Sequence, residues 1–121
     1  MRVLIVDDSR SMRSILRRIV APLGFAEIAE AEHGADALAQ VGEQAPELVL
    51  VDWNMPVMGG QEFIVELRKD RAYDRVKVLV VSSESSARIV MDALRAGADE
   101  YAMKPVTADV ISDKLVLMGL A

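Results

Sequence analysis

The chain has 121 residues, a length typical of one domain, and is 52% hydrophobic, which is enough for a substantial core. Its formal net charge of -5 argues against nonspecific nucleic-acid binding, which depends on neutralising phosphates with Lys and Arg. Cys is absent, which excludes disulfides and thiolate metal sites, and no apolar stretch reaches the roughly 18 residues of a membrane span. Because the first residues show no signal-peptide pattern, we expect a cytoplasmic protein.

Short apolar runs alternate along the chain with longer segments of helical period. The runs predict strands over residues 3–6, 26–31, 48–51, 78–81 and 100–103. The segments between them predict helices over residues 11–20, 34–42, 61–69, 86–96 and 108–117. Five β–α units in succession predict one α/β domain over residues 1–121, a doubly wound parallel sheet with helices on both faces.

Three of the predicted helices carry an apolar stripe, which indicates a buried face. The stripes are Ile15, Leu16, Ile19 and Val20 in the first helix, Phe63, Ile64 and Leu67 in the third, and Ile111, Leu115 and Met118 in the last. Ser9 and Thr107 are suited to be N-caps, and Pro22 predicts that the first helix ends near it. His33, the only histidine, is predicted to be a loop or helix-start residue.

Polar side chains follow the ends of four predicted strands. Asp7 and Asp8 follow the first strand, and Asp52 follows the third. Ser82 and Lys104 follow the fourth and fifth strands. Because ligands bind at the carboxyl ends of parallel strands, these groups should converge there. A lone acid after a strand can cap the next helix, but three converging acids favour a hard divalent cation, and Mg²⁺ suits carboxylate ligands.

A carboxylate beside such a cation can attack phosphorus and form an aspartyl phosphate. Asp52 lies on the central strand, so it is the best candidate for the nucleophile, with Asp7 and Asp8 as metal ligands. The Lys104 ammonium and the Ser82 hydroxyl can bind phosphoryl oxygens. Considered alone, Lys104 is better explained as an ordinary surface lysine, and Ser82 can equally be a loop serine in the run that caps the fourth helix.

Five stretches of the sequence resemble response-regulator receiver domains, and most closely the single-domain chemotaxis regulators of the CheY type. The stretches are VLIVDDS from Val3, VDWNMP from Val51, VVSSE from Val80, AGADEY from Ala96 and MKP from Met103. The resemblance implies a flavodoxin-like fold with strand order 2-1-3-4-5, for which CheY is itself a standard example.

The resemblance also implies a role for each residue at the strand ends. Asp52 would accept a phosphoryl group from a sensor histidine kinase. Ser82 would be the switch hydroxyl, and Lys104 would bridge to the phosphoryl group. The remaining implied roles are Mg²⁺ binding by Asp7, Asp8, Asp52 and the Asn54 backbone carbonyl, a switch aromatic at Tyr101, and tuning of dephosphorylation by Asn54 and Glu84.

The same resemblance implies a signalling protein rather than a metabolic enzyme, with only its own phosphorylation and dephosphorylation chemistry. Its partners would be a histidine kinase, the flagellar motor switch protein and a phosphatase, and we expect a monomer that binds neither nucleic acid nor membrane. The partner face would be formed by the fourth helix, the fifth strand and the fifth helix. Candidate contacts there are Val90, Leu94, Tyr101, Met103 and Lys114.

Three positions depart from the pattern of the family. Ser82 stands where many relatives have Thr, so we expect a less sharply two-state switch. Gly59-Gly60 replaces the commoner Asp-Gly, with little expected effect on the chemistry, and Val106 replaces a common aromatic beside the partner face.

Other readings of the sequence remain open. The chain could be a phosphorelay shuttle or scaffold receiver, or a receiver from a longer DNA-binding regulator, although no linker follows the last predicted helix. It could also be a small α/β phosphatase or a flavin carrier. The acidic pair Asp7-Asp8 disfavours a flavin phosphate site, and the length leaves no room for the cap domain of an aspartate-nucleophile phosphatase.

Overall fold

The computed structural model describes residues 1–84 and 86–121. Its strands are β1 (Arg2–Val6), β2 (Glu27–Ala31), β3 (Leu48–Val51), β4 (Lys77–Ser82) and β5 (Glu100–Met103). Its helices are α1 (Arg10–Val20), α2 (Gly34–Glu43), α3 (Gly60–Lys69), α4 (Ala87–Ala96) and α5 (Ala108–Leu117). The predicted element ends differ from these by at most one residue.

All strand pairs are parallel, and the order across the sheet is β2-β1-β3-β4-β5. The fold class and strand order are therefore confirmed. Because β1 and β3 are neighbours, Val6 pairs with Val51, and the residues that follow these two strands come out side by side. The strand order reverses between β1 and β3, so the topological switch point lies there. In this class of fold, ligands bind at the carboxyl ends of the strands at that point.

The sheet separates two apolar layers, because successive side chains of a strand point to opposite faces. Leu4 and Val6 pack in the layer that α2, α3 and α4 cover, whereas Val3 and Ile5 pack in the layer that α1 and α5 cover. β3 is buried along its whole length, as its continuous apolar sequence predicts.

The predicted buried faces of α3 and α5 are confirmed, but that of α1 is wrong at one position. Ile15 is 46% exposed, while Leu16 and Val20 are fully buried. The buried face of α1 follows Leu16 and Val20, four residues apart, and Ile15 lies to one side of it. The third inward position of α1 is Arg13, which is only 8% exposed.

The helix ends follow the predicted caps. The side chains of Ser9 and Thr107 each accept a hydrogen bond from the backbone three residues later, and His33 caps α2 in the same way through Nδ1. α1 ends at Val20, and a 3-10 turn that contains Pro22 follows it. Among the described residues, no helix is long and apolar enough to span a membrane.

Candidate functional site

Three carboxylates meet where β1 and β3 end. Asp7 and Asp8 follow β1, Asp52 follows β3, and each supplies an oxygen within 4.8 Å of the others. Asp7 is only 2% exposed, Asp52 is half-buried and Asp8 is open to solvent. The structure therefore brings together the acids that the strand ends single out.

Lys104 is the cation beside these acids. Its Nζ donates to Asp7 Oδ2 at 2.9 Å and lies 3.5 Å from Asp52 Oδ2. Burial alone would lower the pKa of Lys104, but the hydrogen bond to Asp7 and the charges of both aspartates outweigh that effect and raise it. The ammonium therefore stays charged at neutral pH, between the carboxylates of Asp7 and Asp52.

The surroundings of Asp52 disfavour the ionised form of its carboxyl group. Burial raises its pKa above the ordinary value, repulsion from Asp7 adds to the rise, and the Lys104 charge opposes it. Its Oδ1 accepts a hydrogen bond from the Trp53 amide at 2.8 Å. Three carboxylates with one ammonium leave an excess of negative charge that a divalent cation would offset.

The donor set fits Mg²⁺ rather than a softer metal. The clustered ligand atoms are all carboxylate oxygens, the class that Mg²⁺ prefers, whereas zinc sites use His and Cys. Asn54 lies two residues beyond Asp52 and, with Asp8 and Trp53, lines an open cavity of about 610 Å³. Its side chain donates to Glu84 Oε1 at 3.1 Å, which links the loops after β3 and β4.

Ser82, Glu84 and Tyr101 form a hydrogen-bonded chain beside the acids. The fully buried Ser82 Oγ accepts from the Glu84 amide at 3.2 Å, and the Tyr101 hydroxyl donates to the Glu84 carbonyl at 2.6 Å. The Tyr101 ring is 9% exposed, so the structure shows the inward position of this side chain. Burial raises the pKa of Tyr101, which keeps its hydroxyl protonated as a donor.

The candidate partner-face residues lie on α4, β5 and α5 with unequal exposure. Leu94 is 42% and Met103 is 50% exposed, and Val90 is half-buried. The Lys114 Nζ is paired with Glu100 Oε1 at 2.7 Å. With the Tyr101 ring inward, the candidate contacts that remain accessible are apolar apart from Lys114, which is paired with Glu100.

The sequence analysis did not predict a role for Arg13, nor the close packing at Gly60. Arg13 donates from Nη1 to the Asp7 backbone carbonyl at 2.7 Å. A Cβ at Gly60 would lie 2.4 Å from the Asp52 carbonyl oxygen, so only glycine lets α3 begin against this loop. The position of Arg13, three and seven residues before Leu16 and Val20, was the available signal for an inward-facing charge.

Comparison with known proteins decides the family. The model of the response regulator receiver domain matches residues 3–116. The chain belongs to this family. Receiver domains bind Mg²⁺ through an acidic pocket, and in this chain the cluster of Asp7, Asp8 and Asp52 is an acidic pocket of that kind.

The relatives of this receiver domain include chemotaxis proteins over nearly its full length. The chain is 36% identical to chemotaxis protein CheY1 of Helicobacter pylori over 121 residues, which cover 98% of both chains. It is 37% identical to a chemotaxis protein CheY homolog of Campylobacter jejuni over 116 residues, 95% of this chain and 89% of the relative. The predicted resemblance to CheY-type regulators is confirmed.

Solved structures agree with this assignment. Chemotaxis protein CheY4 of Vibrio cholerae superposes with a TM-score of 0.87 at 30% identity over 95% of each chain. A putative response regulator of Chloroflexus aurantiacus has a TM-score of 0.89 at 21% identity, covering 98% of this chain and 97% of the other, and supports the fold alone. This protein is therefore a receiver domain of the CheY type, a signalling family in which a phosphoacceptor role is implied.

Proposed function

We propose that Asp52 accepts a phosphoryl group from a sensor histidine kinase, and that the phosphorylated protein binds a target through α4, β5 and α5. The observation that supports this proposal most directly is the meeting of three carboxylates and one lysine where β1, β3 and β5 end. We treat residues 1–121 as one receiver domain that acts as a monomer in the cytoplasm.

Asp52 is suited to be the nucleophile of this cluster. One of its oxygens is held by the Trp53 amide, and the other lies toward Lys104. Attack of a carboxylate oxygen on the phosphorus of a phosphohistidine forms an acyl phosphate and returns the electron pair of the broken P–N bond to the imidazole. Asp7, by contrast, is almost fully buried and is hydrogen-bonded to Lys104, so phosphorus cannot reach it easily.

The neighbouring side chains would balance the added charge of roughly -1.5 to -2. Mg²⁺, when held by Asp7, Asp8, Asp52 and the Asn54 carbonyl, would supply positive charge to the attacking and phosphoryl oxygens. Lys104 lies close enough to Asp52 to exchange its contact with Asp7 for one with a phosphoryl oxygen. Asn54 and Glu84, joined by their hydrogen bond, flank the path of a hydrolytic water and would tune dephosphorylation.

The hydrogen bonds that link Ser82, Glu84 and Tyr101 are the route by which phosphorylation would change the partner face. If the Ser82 hydroxyl donates to the phosphoryl group, the Ser82 side chain and the Glu84 backbone move together because they are hydrogen-bonded. The Tyr101 hydroxyl, bound to the same residue, then changes its surroundings. In this proposal phosphorylation shifts a population between two packings of the ring.

We propose the flagellar motor switch protein as the target, because the chemotaxis relatives match almost the whole chain. Exposed Leu94 and Met103 are suited to an apolar peptide, while Lys114 can exchange its partner Glu100 for an acid of the peptide. The Tyr101 ring and half-buried Val90 would complete the contact. A phosphatase would then act on the same phosphorylated form.

The first experiment is a titration with the N-terminal peptide of the motor switch protein, with and without beryllium fluoride and Mg²⁺. Trp53 fluorescence in the same sample reports whether the acid site has responded. We expect tighter peptide binding on activation, weakened by Leu94→Ala but not by Val65→Ala, which removes a similarly exposed side chain from α3 (40% against 42%). A Trp53 response with unchanged peptide affinity would reject the motor as the target.

That outcome would favour the second candidate, a phosphorelay or scaffold receiver. Such a receiver keeps the chemistry of Asp52 but passes the phosphoryl group to another histidine. A phosphorelay receiver should lose its phosphoryl group faster when a phosphotransfer domain is added than by hydrolysis in buffer alone. This comparison would distinguish the two roles.

A further inference from the structure

A buried arginine lies behind the acidic cluster. Arg13 is 8% exposed although it carries a permanent charge, and charged side chains are rarely so buried unless they are paired. Its Nη1 donates to the backbone carbonyl of Asp7 at 2.7 Å, and its Nε donates to Glu30 Oε1 at 2.9 Å. The guanidinium therefore joins the end of β1 to a carboxylate of β2.

The orientation of the Asp7 carbonyl affects the geometry of the acidic cluster. The Asp7 amide is already bound to the Ala31 carbonyl at 3.1 Å, so the hydrogen bond from Arg13 holds the opposite side of the residue. Since the peptide group is planar, the direction of the Asp7 carbonyl fixes the plane that leads to Asp8. The Asp7 carboxylate is also held by the Ser9 amide and Lys104, so a change in this plane would mainly redirect Asp8 relative to Asp7.

Glu30 in turn holds the guanidinium in place. Its Oε2 accepts from Arg17 at 2.8–3.0 Å, and its backbone carbonyl accepts from the side chain of Gln40 at 2.8 Å. The planar fork of an arginine can bind both a carboxylate and a carbonyl, whereas a lysine ammonium has no such fixed geometry. Glu30 is shared by Arg13 and Arg17, and loss of either positive charge near the acids would by itself favour cation binding. Weaker Mg²⁺ binding on loss of Arg13 would therefore report its geometric contact with the Asp7 carbonyl.

We propose that Arg13 is a positioning residue for Mg²⁺ binding, which it supports by holding the Asp7–Asp8 peptide in the orientation that directs both carboxylates to one cation. This inference rests on the proposed function, because it takes Asp7, Asp8 and Asp52 as the metal-binding group. Residues behind metal ligands commonly change affinity by 10–100-fold when they are mutated, so a weakening of about tenfold is expected here.

The test compares two arginines one turn apart on α1. Arg13→Met removes the hydrogen bonds to the Asp7 carbonyl and to Glu30 Oε1. Arg17→Met removes the contacts with Glu30 Oε2 and the hydrogen bond to the Ile28 carbonyl, but leaves the Asp7 carbonyl bonded. Mg²⁺ alone is titrated into the full chain, with Trp53 fluorescence and the amide NMR shifts of Asp8 and Ser9 as readouts. Urea unfolding in EDTA establishes that each variant is folded.

We expect Arg13→Met to weaken Mg²⁺ binding about tenfold. Arg17→Met should weaken it less than twofold, and Arg13→Lys should fall between the two. The rate of phosphorylation by acetyl phosphate in Arg13→Met should recover at saturating Mg²⁺, because only affinity is changed. Equal Mg²⁺ affinities of Arg13→Met and Arg17→Met would overturn the proposal. If Arg13→Met does not fold, an Arg13→Lys protein with the Mg²⁺ affinity of the parent would overturn it instead.

Asp8→Asn separates this inference from the proposed function. If Asp8→Asn abolishes the Mg²⁺ response while Arg13→Met leaves it unchanged, the metal site stands and the role of Arg13 fails. If Asp8→Asn retains the full response, the acidic cluster is not the metal site and both proposals fail.

Discussion

The carboxylates at the two ends of the strands, the edge where the strands begin and the edge where they end, differ in how their charge is balanced. At the edge where the strands begin, Asp99 accepts from Arg68 at 3.0 Å and from the Val78 amide at 2.8 Å, so its charge is balanced. At the edge where they end, the carboxylates of Asp7, Asp8 and Asp52 meet, and the Lys104 Nζ lies 2.9 Å from Asp7 and 3.5 Å from Asp52. The first arrangement fastens secondary-structure elements together, whereas the second retains unbalanced charge for a ligand.

Arg68 shows what a purely structural ion pair looks like. Besides Asp99, its guanidinium donates to the carbonyls of Gly97 and Tyr73, so it ties the end of α3 to the segments before β4 and β5. Lys104 instead lies between Asp7 and Asp52 with one short and one longer contact, an arrangement that can change when a phosphoryl group arrives.

The largest expected effect is the loss of phosphorylation in Asp52→Asn. An amide is a far weaker nucleophile than a carboxylate, so the mass gain of one phosphoryl group with acetyl phosphate and Mg²⁺ should disappear from the intact-mass spectrum. Asp99→Asn, at the opposite edge, is the matched control and should still be labelled. Labelling that persists in Asp52→Asn would move the nucleophile to another residue.

Lys104→Ala should separate the two consequences of phosphorylation. We expect Mg²⁺ binding to change by less than about threefold, because the carboxylates remain, while the response of Tyr101 to phosphorylation is lost. The Tyr101 response can be followed by NMR of the ring with and without beryllium fluoride. An unchanged ring response would show that Lys104 takes no part in the coupling.

Arg68→Met should lower the free energy of unfolding by about 2 kcal/mol, because it leaves Asp99 and two carbonyls without their donors. Urea unfolding measures this change, and the Mg²⁺ response of the folded protein should be unaffected. Arg71→Met is the control: its ion pair with Asp74 is fully at the surface at 3.9 Å, so the change should stay within about 0.5 kcal/mol. Reduced Mg²⁺ affinity in Arg68→Met would show that the two edges are coupled.

The smallest effects concern pH, and they should have opposite signs for Asp52 and Glu30. Burial raises the pKa of Asp52 in the folded protein above the unfolded value of 3.8. The ionised carboxylate therefore destabilises the fold, and this effect is complete above the folded pKa and absent below 3.8. In EDTA, Asp52→Asn should therefore be more stable than the parent at neutral pH. The advantage should vanish as the pH falls through this window.

Glu30 behaves in the reverse way. Burial alone would raise its pKa, but the hydrogen bonds and charges of Arg17 and Arg13 outweigh burial and lower it. Its ionised form thus stabilises the fold above the unfolded value of 4.5, and this contribution is lost as the pH falls through the lowered pKa. Glu30→Gln should be less stable by roughly 0.5–1 kcal/mol at neutral pH, measured by urea unfolding, with no difference in strong acid. A Glu30→Gln protein as stable as the parent would contradict the pairing.

The periodicity of the chain was sufficient to predict the elements, because most strands are short apolar runs and most helices begin at a capping side chain; β2, with Glu27 and Glu30, carries the weakest signal. The candidate site was also predictable from residue position. Asp7, Asp8 and Asp52 directly follow strands, and in a parallel sheet all such residues meet at one edge. The strand order came from resemblance to the family, since spacing alone does not distinguish the possible orders.

Only the tertiary structure decided the details that depend on how elements rotate against one another. The stripe on α1 was compatible with an inward Ile15, but packing on the sheet turned Arg13 inward and left Ile15 exposed, because Arg13 finds both Asp7 and Glu30 there. The inward position of the Tyr101 ring likewise depends on a carbonyl seventeen residues away. Local sequence determined which residues reach the site, and long-range packing determined which partners they meet.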